Sequence, residues 1–166
     1  MAIDKAQTAQ RPAGRLGLGE LVAGASGLAM LILMFIPWFA WATPIKITPS
    51  AGDGYSAGGV WTAWQAFPLT CYVLLLAALA GLALAGLRAL RPVGLPVVAG
   101  LAVAALGAMA VLVILVSIVL SPPVKPALWS GVVLRNPVVR PAAGAFLGLA
   151  AAAGIVAGGL LARRGR

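Results

Sequence analysis

Residues 93–120 read VGLPVVAGLAVAALGAMAVLVILVSIVL, a run with no charged side chain and a single hydroxyl, Ser117. An α-helix rises about 1.5 Å per residue, so about 20 apolar residues cross the roughly 30 Å hydrocarbon core of a bilayer. The run is long enough to cross, and it has no polar face to offer water. Three further stretches share its character: Leu21–Ala42 and Phe67–Leu87 before it, and Ala142–Ala162 after it. The expectation is an all-α membrane protein: a four-helix transmembrane bundle forming one domain over residues 1–166. Residues 43–66 and 121–141 are its two extracytoplasmic loops.

Composition agrees. Of 166 residues, 62% are hydrophobic and 9% charged, against about 25% charged in soluble domains. Twelve Lys and Arg face three acids, Asp4, Glu20 and Asp53, for a net charge of +9. The cations flank apolar runs and form no stripe with interleaved aromatics. They read as topology signals and anionic-lipid contacts, and no nucleic-acid partner is expected. Cys71 is the single cysteine, which rules out an intrachain disulfide. The excess of Arg over Lys and the abundance of Ala, Gly, Leu and Val suggest a high-GC bacterial genome.

Basic residues concentrate on the cytoplasmic side of a membrane protein. Lys5, Arg11, Arg15, Arg88, Arg91, Arg163, Arg164 and Arg166 fall on one side of the four-span layout; Lys46, Lys125, Arg135 and Arg140 fall on the other. Eight against four places both termini and the middle connection in the cytoplasm of a bacterial inner membrane. Trp38 and Trp41 would close the first span, and Trp61, Trp64 and Phe67 would open the second, as an aromatic belt at the outer interface.

In the first outer loop, Ile45-Lys46-Ile47-Thr48 alternates as a short strand does, and Asp53-Gly54 signals a turn. Val60–Phe67 reads as the start of the second helix or as an interfacial segment. In the second loop, Gly131–Arg135 is a second strand-like segment among five prolines. The two strands could pair into a small outer β-sheet; irregular loop is the alternative. Pro44-Ile45-Lys46 recurs as Pro123-Val124-Lys125, which fits either a duplicated hairpin or coincidence in a biased composition.

Helices in lipid associate through small residues that let backbones approach. Gly19, Ala23 and Gly27 mark the first span, Ala77, Gly81 and Ala85 the second, and Gly100, Ala104 and Ala108 the third. The fourth carries Gly144 with Gly148 and Gly154 with Gly158. Such stripes close the chain's own bundle or meet a partner.

Reactive chemistry is hard to assemble. The chain has no histidine, one cysteine and three scattered acids, a set that offers neither an acid–base pair nor a metal shell. No cofactor is expected. Glu20, at the edge of the first span, is placed to pair with Arg15, Arg88 or Arg91. The leading expectation is a non-enzymatic accessory subunit or scaffold of a larger envelope membrane complex, whose partners are the bilayer and other membrane subunits or copies of itself. Its contact residues are expected among Lys46, Trp61, Trp64, Lys125, Trp129, Arg135 and Arg140 outside, and Gly144, Gly148, Gly154 and Gly158 within. The alternative is a self-assembling channel or small-molecule transporter lined by Ser26, Thr70 and Ser117.

Ala63-Trp64-Gln65-Ala66-Phe67 and Gly144-Ala145-Phe146-Leu147-Gly148-Leu149 resemble segments of small four-span actinobacterial membrane proteins. That resemblance implies a fold and a source more than an activity. The layout is also similar to claudin-like tetraspan proteins, in which the first span leads to an outer strand and a Gly-Leu-Trp segment; Gly59-Val60-Trp61 stands in that place here. The paired loop cysteines of that group are missing.

Overall fold

The computed structural model describes residues 16–41, 45–47, 55–57, 60–90, 97–120 and 139–164. In chain order these form α1 (Leu18–Leu33), β1 (Pro37–Trp41), β2 (Ile45–Ile47), β3 (Tyr55–Ala57), β4 (Val60–Thr62), α2 (Ala63–Ala66), α3 (Pro68–Leu90), α4 (Val97–Leu120), β5 (Val139–Pro141) and α5 (Ala143–Arg164). Among them α3, α4 and α5 are long and apolar enough to cross a membrane, and α1 is a shorter apolar helix of 16 residues. The chain is a multi-span membrane protein: a largely helical bundle carrying a small three-stranded sheet.

The expected first helix, Leu21–Ala42, is in fact a helix followed by a strand. α1 stops at Leu33, and Pro37 explains why: it has no N–H to donate, and it disfavours helical geometry at Ile36. The helix end tightens, with Phe35 N donating to Ile32 O at 3.1 Å and Ile36 N to Leu33 O at 3.2 Å. The Trp38 indole then folds back, its Nε1 donating to the same Leu33 carbonyl at 2.7 Å. Trp38, expected in an interfacial belt, is buried. Within the described residues the expected third helix runs Val97–Leu120; residues 93–96 of the expected span lie outside them.

Helix α1 packs between α3 and α5, and α4 packs against α5 and α3. Glycines set the spacing. A methyl on Gly27 would stand 2.5 Å from Ala78 O, and one on Gly158 would stand 2.5 Å from Ala23 N. Across the α4–α5 seam, a methyl on Gly100 would lie 2.9 Å from Gly159 O. Backbones this close need a bare Cα on one side, the packing mode that replaces hydrophobic attraction in lipid.

The pairing of the helices also fixes heights. Gly19 abuts Ala162 near the end of α5, and Gly144 at its start abuts Pro37. The stretch of α5 from Gly144 to Ala162 is about 27 Å long at 1.5 Å per residue. The sheet therefore sits about one hydrocarbon thickness from the first turn of α1.

The sheet has the order β4-β1-β5, both pairings antiparallel. Ala40 lies opposite Val60 on one side and Arg140 on the other. Strand β2 pairs with β3 as a separate two-stranded antiparallel hairpin, Lys46 opposite Ser56. The expected cross-loop sheet thus involves other residues. Ile45–Ile47 does form a strand, but it pairs within its own loop. The strands that pair across the chain are β1, within the expected first span, and β5, at the end of the second loop. Gly131–Arg135 lies outside the described residues. Val60–Thr62, read as a helix start or an interfacial segment, is a strand, consistent with its Val, Trp and Thr; α2 and α3 follow it.

Candidate functional site

The far end of the bundle, where the sheet sits, gathers most of the residues that the sequence marks as contacts. Directly opposed residues of antiparallel strands place their side chains on one face of the sheet. Phe39, Trp61 and Pro141 therefore share a face, and Ala40, Val60 and Arg140 share the other. Phe39 is wholly buried and meets the Phe67 ring edge-on at 5.7 Å, so its face is turned to the bundle. Trp61, on the same face, is half-buried against the core. The outward face carries Val60, 62% exposed, and the exposed Arg140.

Trp64 follows on α2, half-buried and edge-on to Tyr72 at 6.2 Å. Its indole Nε1 is buried without a hydrogen-bond partner. Lys46 stands at the centre of β2 on the hairpin. Lys125, Trp129 and Arg135 lie outside the described residues. The structure thus brings Trp61, Trp64 and Arg140 to one end of the bundle, with Lys46 on a separate hairpin, and it separates Trp61 from Arg140 by facing.

The sheet is fastened to the helices by its centre strand. A methyl on Gly148 would stand 2.6 Å from the Trp38 ring, and one on Gly144 would stand 2.5 Å from Pro37 O. These two glycines form the slot into which Trp38 fits. Ala142 N donates to Trp38 O at 2.7 Å, joining the start of α5 to β1. Gly154 faces Ser26, and Gly158 faces Ala23. All four glycines marked as contacts serve seams inside the chain. The Trp38 slot was not foreseen from sequence; a Gly-x-x-x-Gly pair shows that something packs closely, not what.

Both sheet edges are blunted. The bond from Ala142 N to Trp38 O sets the alternation of the ladder: the backbone groups of Arg140 point toward β1, and those of Val139 and Pro141 point away. Proline at that outward position removes a donor from the β5 edge. By the same alternation Thr62 points its N–H off the β4 edge, where Gln65 Oε1 accepts it at 3.1 Å in a capping box that starts α2. Strand addition is thereby disfavoured at either edge, which leaves the outward face and the hairpin as the presented surface.

Polar groups within the helices close on their own backbone. Thr70 Oγ1 donates to Phe67 O at 3.0 Å, and Ser117 Oγ donates to Val113 O at 2.7 Å. At the opposite end, Glu20 accepts from Arg88 Nε at 3.1 Å, one of its three foreseen partners; Arg15 and Arg91 lie outside the described residues. Among the described residues, no group of three His, Cys, Asp or Glu side chains is placed to hold a metal ion. No protein-family model, curated protein or solved structure matches the chain.

Proposed function

We propose that this chain is a non-enzymatic accessory subunit or scaffold of a larger membrane complex in a bacterial inner membrane, and that it presents its outer sheet and hairpin to a partner. The observation that carries the reading is the fastening of β1. Trp38 in the Gly144–Gly148 slot, the Phe39–Phe67 contact and the Ala142–Trp38 bond hold the sheet rigidly to the helices. A surface held at fixed height and orientation is suited to docking, and an unattached loop would lose more entropy on binding.

In this reading α1 is a fourth span. Its 16 residues cover about 24 Å, and the Met34–Trp38 segment continues the apolar path to the level of the first turns of α5. The termini and the α3–α4 connection then share the cytoplasmic side, as the distribution of basic residues favours. The sheet lies at the opposite interface, where its polar edges are compatible with water and headgroups.

Mild-detergent purification from native membranes, followed by cross-linking mass spectrometry, tests the role. A reproducible partner linked through Lys46 or the Arg140 face supports it; a lone monomer under several conditions overturns it. The channel or transporter alternative requires free polar groups along a path, whereas Thr70 and Ser117 are satisfied locally. Selective or saturable flux in liposomes holding only this protein would favour it instead.

A further inference from the structure

Glu20 is the only acid among the described residues, and it is buried. A carboxylate taken out of water costs several kcal/mol unless it is paired, and an apolar residue would pack there without that cost. The Glu20–Arg88 pair therefore invites a use beyond joining α1 to α3. Its geometry suggests one. Glu20 occupies the Nε edge of the guanidinium. A guanidinium offers five N–H donors in a planar fork, and among the described residues no other acceptor takes those of Arg88. The Arg88 side chain is 23% exposed, while that of Glu20 is only 7% exposed. The acid lies inside and the free donors lie at the rim.

Leu21 on α1 and Leu87 on α3, each next in sequence to a member of the pair and one residue further into the bundle, are both exposed. A fixed planar cation above exposed leucines matches a phospholipid, with phosphate on the fork and acyl chain along the leucines. Charge selects among phospholipids. Arg163 is exposed at the same end of the bundle, and Arg15, Arg91, Arg164 and Arg166 adjoin it in sequence. Glu20, the one acid among the described residues, is already paired.

We propose that Arg88, held by Glu20, binds the phosphate of an anionic phospholipid at the rim between α1 and α3. Arg88 is the binding residue, and Glu20 is a positioning residue that turns the terminal N–H groups outward. The site does not depend on the accessory role proposed above.

The test is lipid retention, read by native mass spectrometry, from nanodiscs of mixed phosphatidylglycerol and phosphatidylcholine. The wild type should retain phosphatidylglycerol preferentially. Arg88→Gln should lower that retention about tenfold, equivalent to about 1.4 kcal/mol, while Arg163→Gln at the same end leaves it nearly unchanged. Glu20→Leu is decisive because the two explanations give opposite signs. It removes a negative charge, so general attraction to a basic surface would strengthen retention. It also releases Arg88, so loss of positioning should weaken retention several-fold. If Arg88→Gln does not fold, Arg88→Lys keeps the charge without the fork and should still lose several-fold. Retention that rises or holds in Glu20→Leu overturns the proposal. Equal losses in Arg88→Gln and Arg163→Gln would overturn it as well, in favour of diffuse attraction.

Discussion

Gly158→Ala and Gly86→Ala make the same chemical change in two helices and should have opposite effects. A methyl on Gly158 would stand 2.5 Å from Ala23 N, 2.7 Å from its Cα and 2.8 Å from its Cβ. Carbon atoms prefer separations of about 3.5–4.0 Å, so α1 and α5 must part by roughly 1 Å. A gap of that size forfeits about a quarter to a half of each contact well it opens, and the seam also contains Gly19 on Ala162 and Gly154 on Ser26. Overpacking costs about 1–3 kcal/mol, and replacing a helical glycine with alanine returns about 0.8–1.0 kcal/mol. The net loss is up to about 2 kcal/mol. Around Gly86 nothing lies within 4 Å of an added methyl, so only the propensity gain remains. Cys71, buried and the single cysteine, reports unfolding through a thiol-reactive fluorogenic dye during heating in mild detergent. At about 2–4 °C per kcal/mol for a chain of this size, Gly158→Ala should lower the midpoint by up to about 8 °C. Gly86→Ala should leave it unchanged or raise it by up to about 4 °C. Equal midpoints for the two variants would refute the close α1–α5 seam.

Trp38→Ala empties the Gly144–Gly148 slot and should cost about 3–5 kcal/mol, measured with the same dye. Trp38→Phe loses the Nε1 bond to Leu33 O as well as ring volume, whereas Trp64→Phe removes an indole N–H that has no partner. Trp64→Phe should therefore be the milder of the two by about 1 kcal/mol, and the reverse order would contradict the geometry. Gln65→Ala removes the acceptor for Thr62 N–H and should cost about 1 kcal/mol, with faster amide hydrogen exchange at Thr62 as its local sign.

The membrane character was legible because length and apolarity are local properties. Pro68 and Ala143, where α3 and α5 begin, fall within one residue of the expected starts at Phe67 and Ala142. The break at Pro37 was harder to see. The residues on both sides of it are apolar, so periodicity offers no contrast between helix and strand, and the proline was the only local signal. Pairing of β1 with β5 joins residues about one hundred positions apart, and nothing in Val139-Arg140-Pro141 announces its partner. Strand-like alternation in Ile45–Ile47 was visible, but the strand it would pair with was not. For the contact residues, sequence identified the residue types and topology decided their facing. Trp61 turns inward and Arg140 outward because they oppose different residues of β1. The four glycines were visible as a stripe, while Trp38, Ser26 and Ala23 as their neighbours follow only from the fold.

As a fourth span, α1 would place the hairpin and the chain termini on opposite sides of the membrane. Single cysteines introduced by Lys5→Cys, Lys46→Cys and Arg166→Cys in a Cys71→Ala background test this directly, with a membrane-impermeant maleimide applied to intact cells. Labelling is expected for Lys46→Cys in intact cells, and for Lys5→Cys and Arg166→Cys only after the membrane is permeabilised. Labelling of Lys5→Cys together with Lys46→Cys in intact cells would show that α1 does not cross, and would contradict the four-span arrangement.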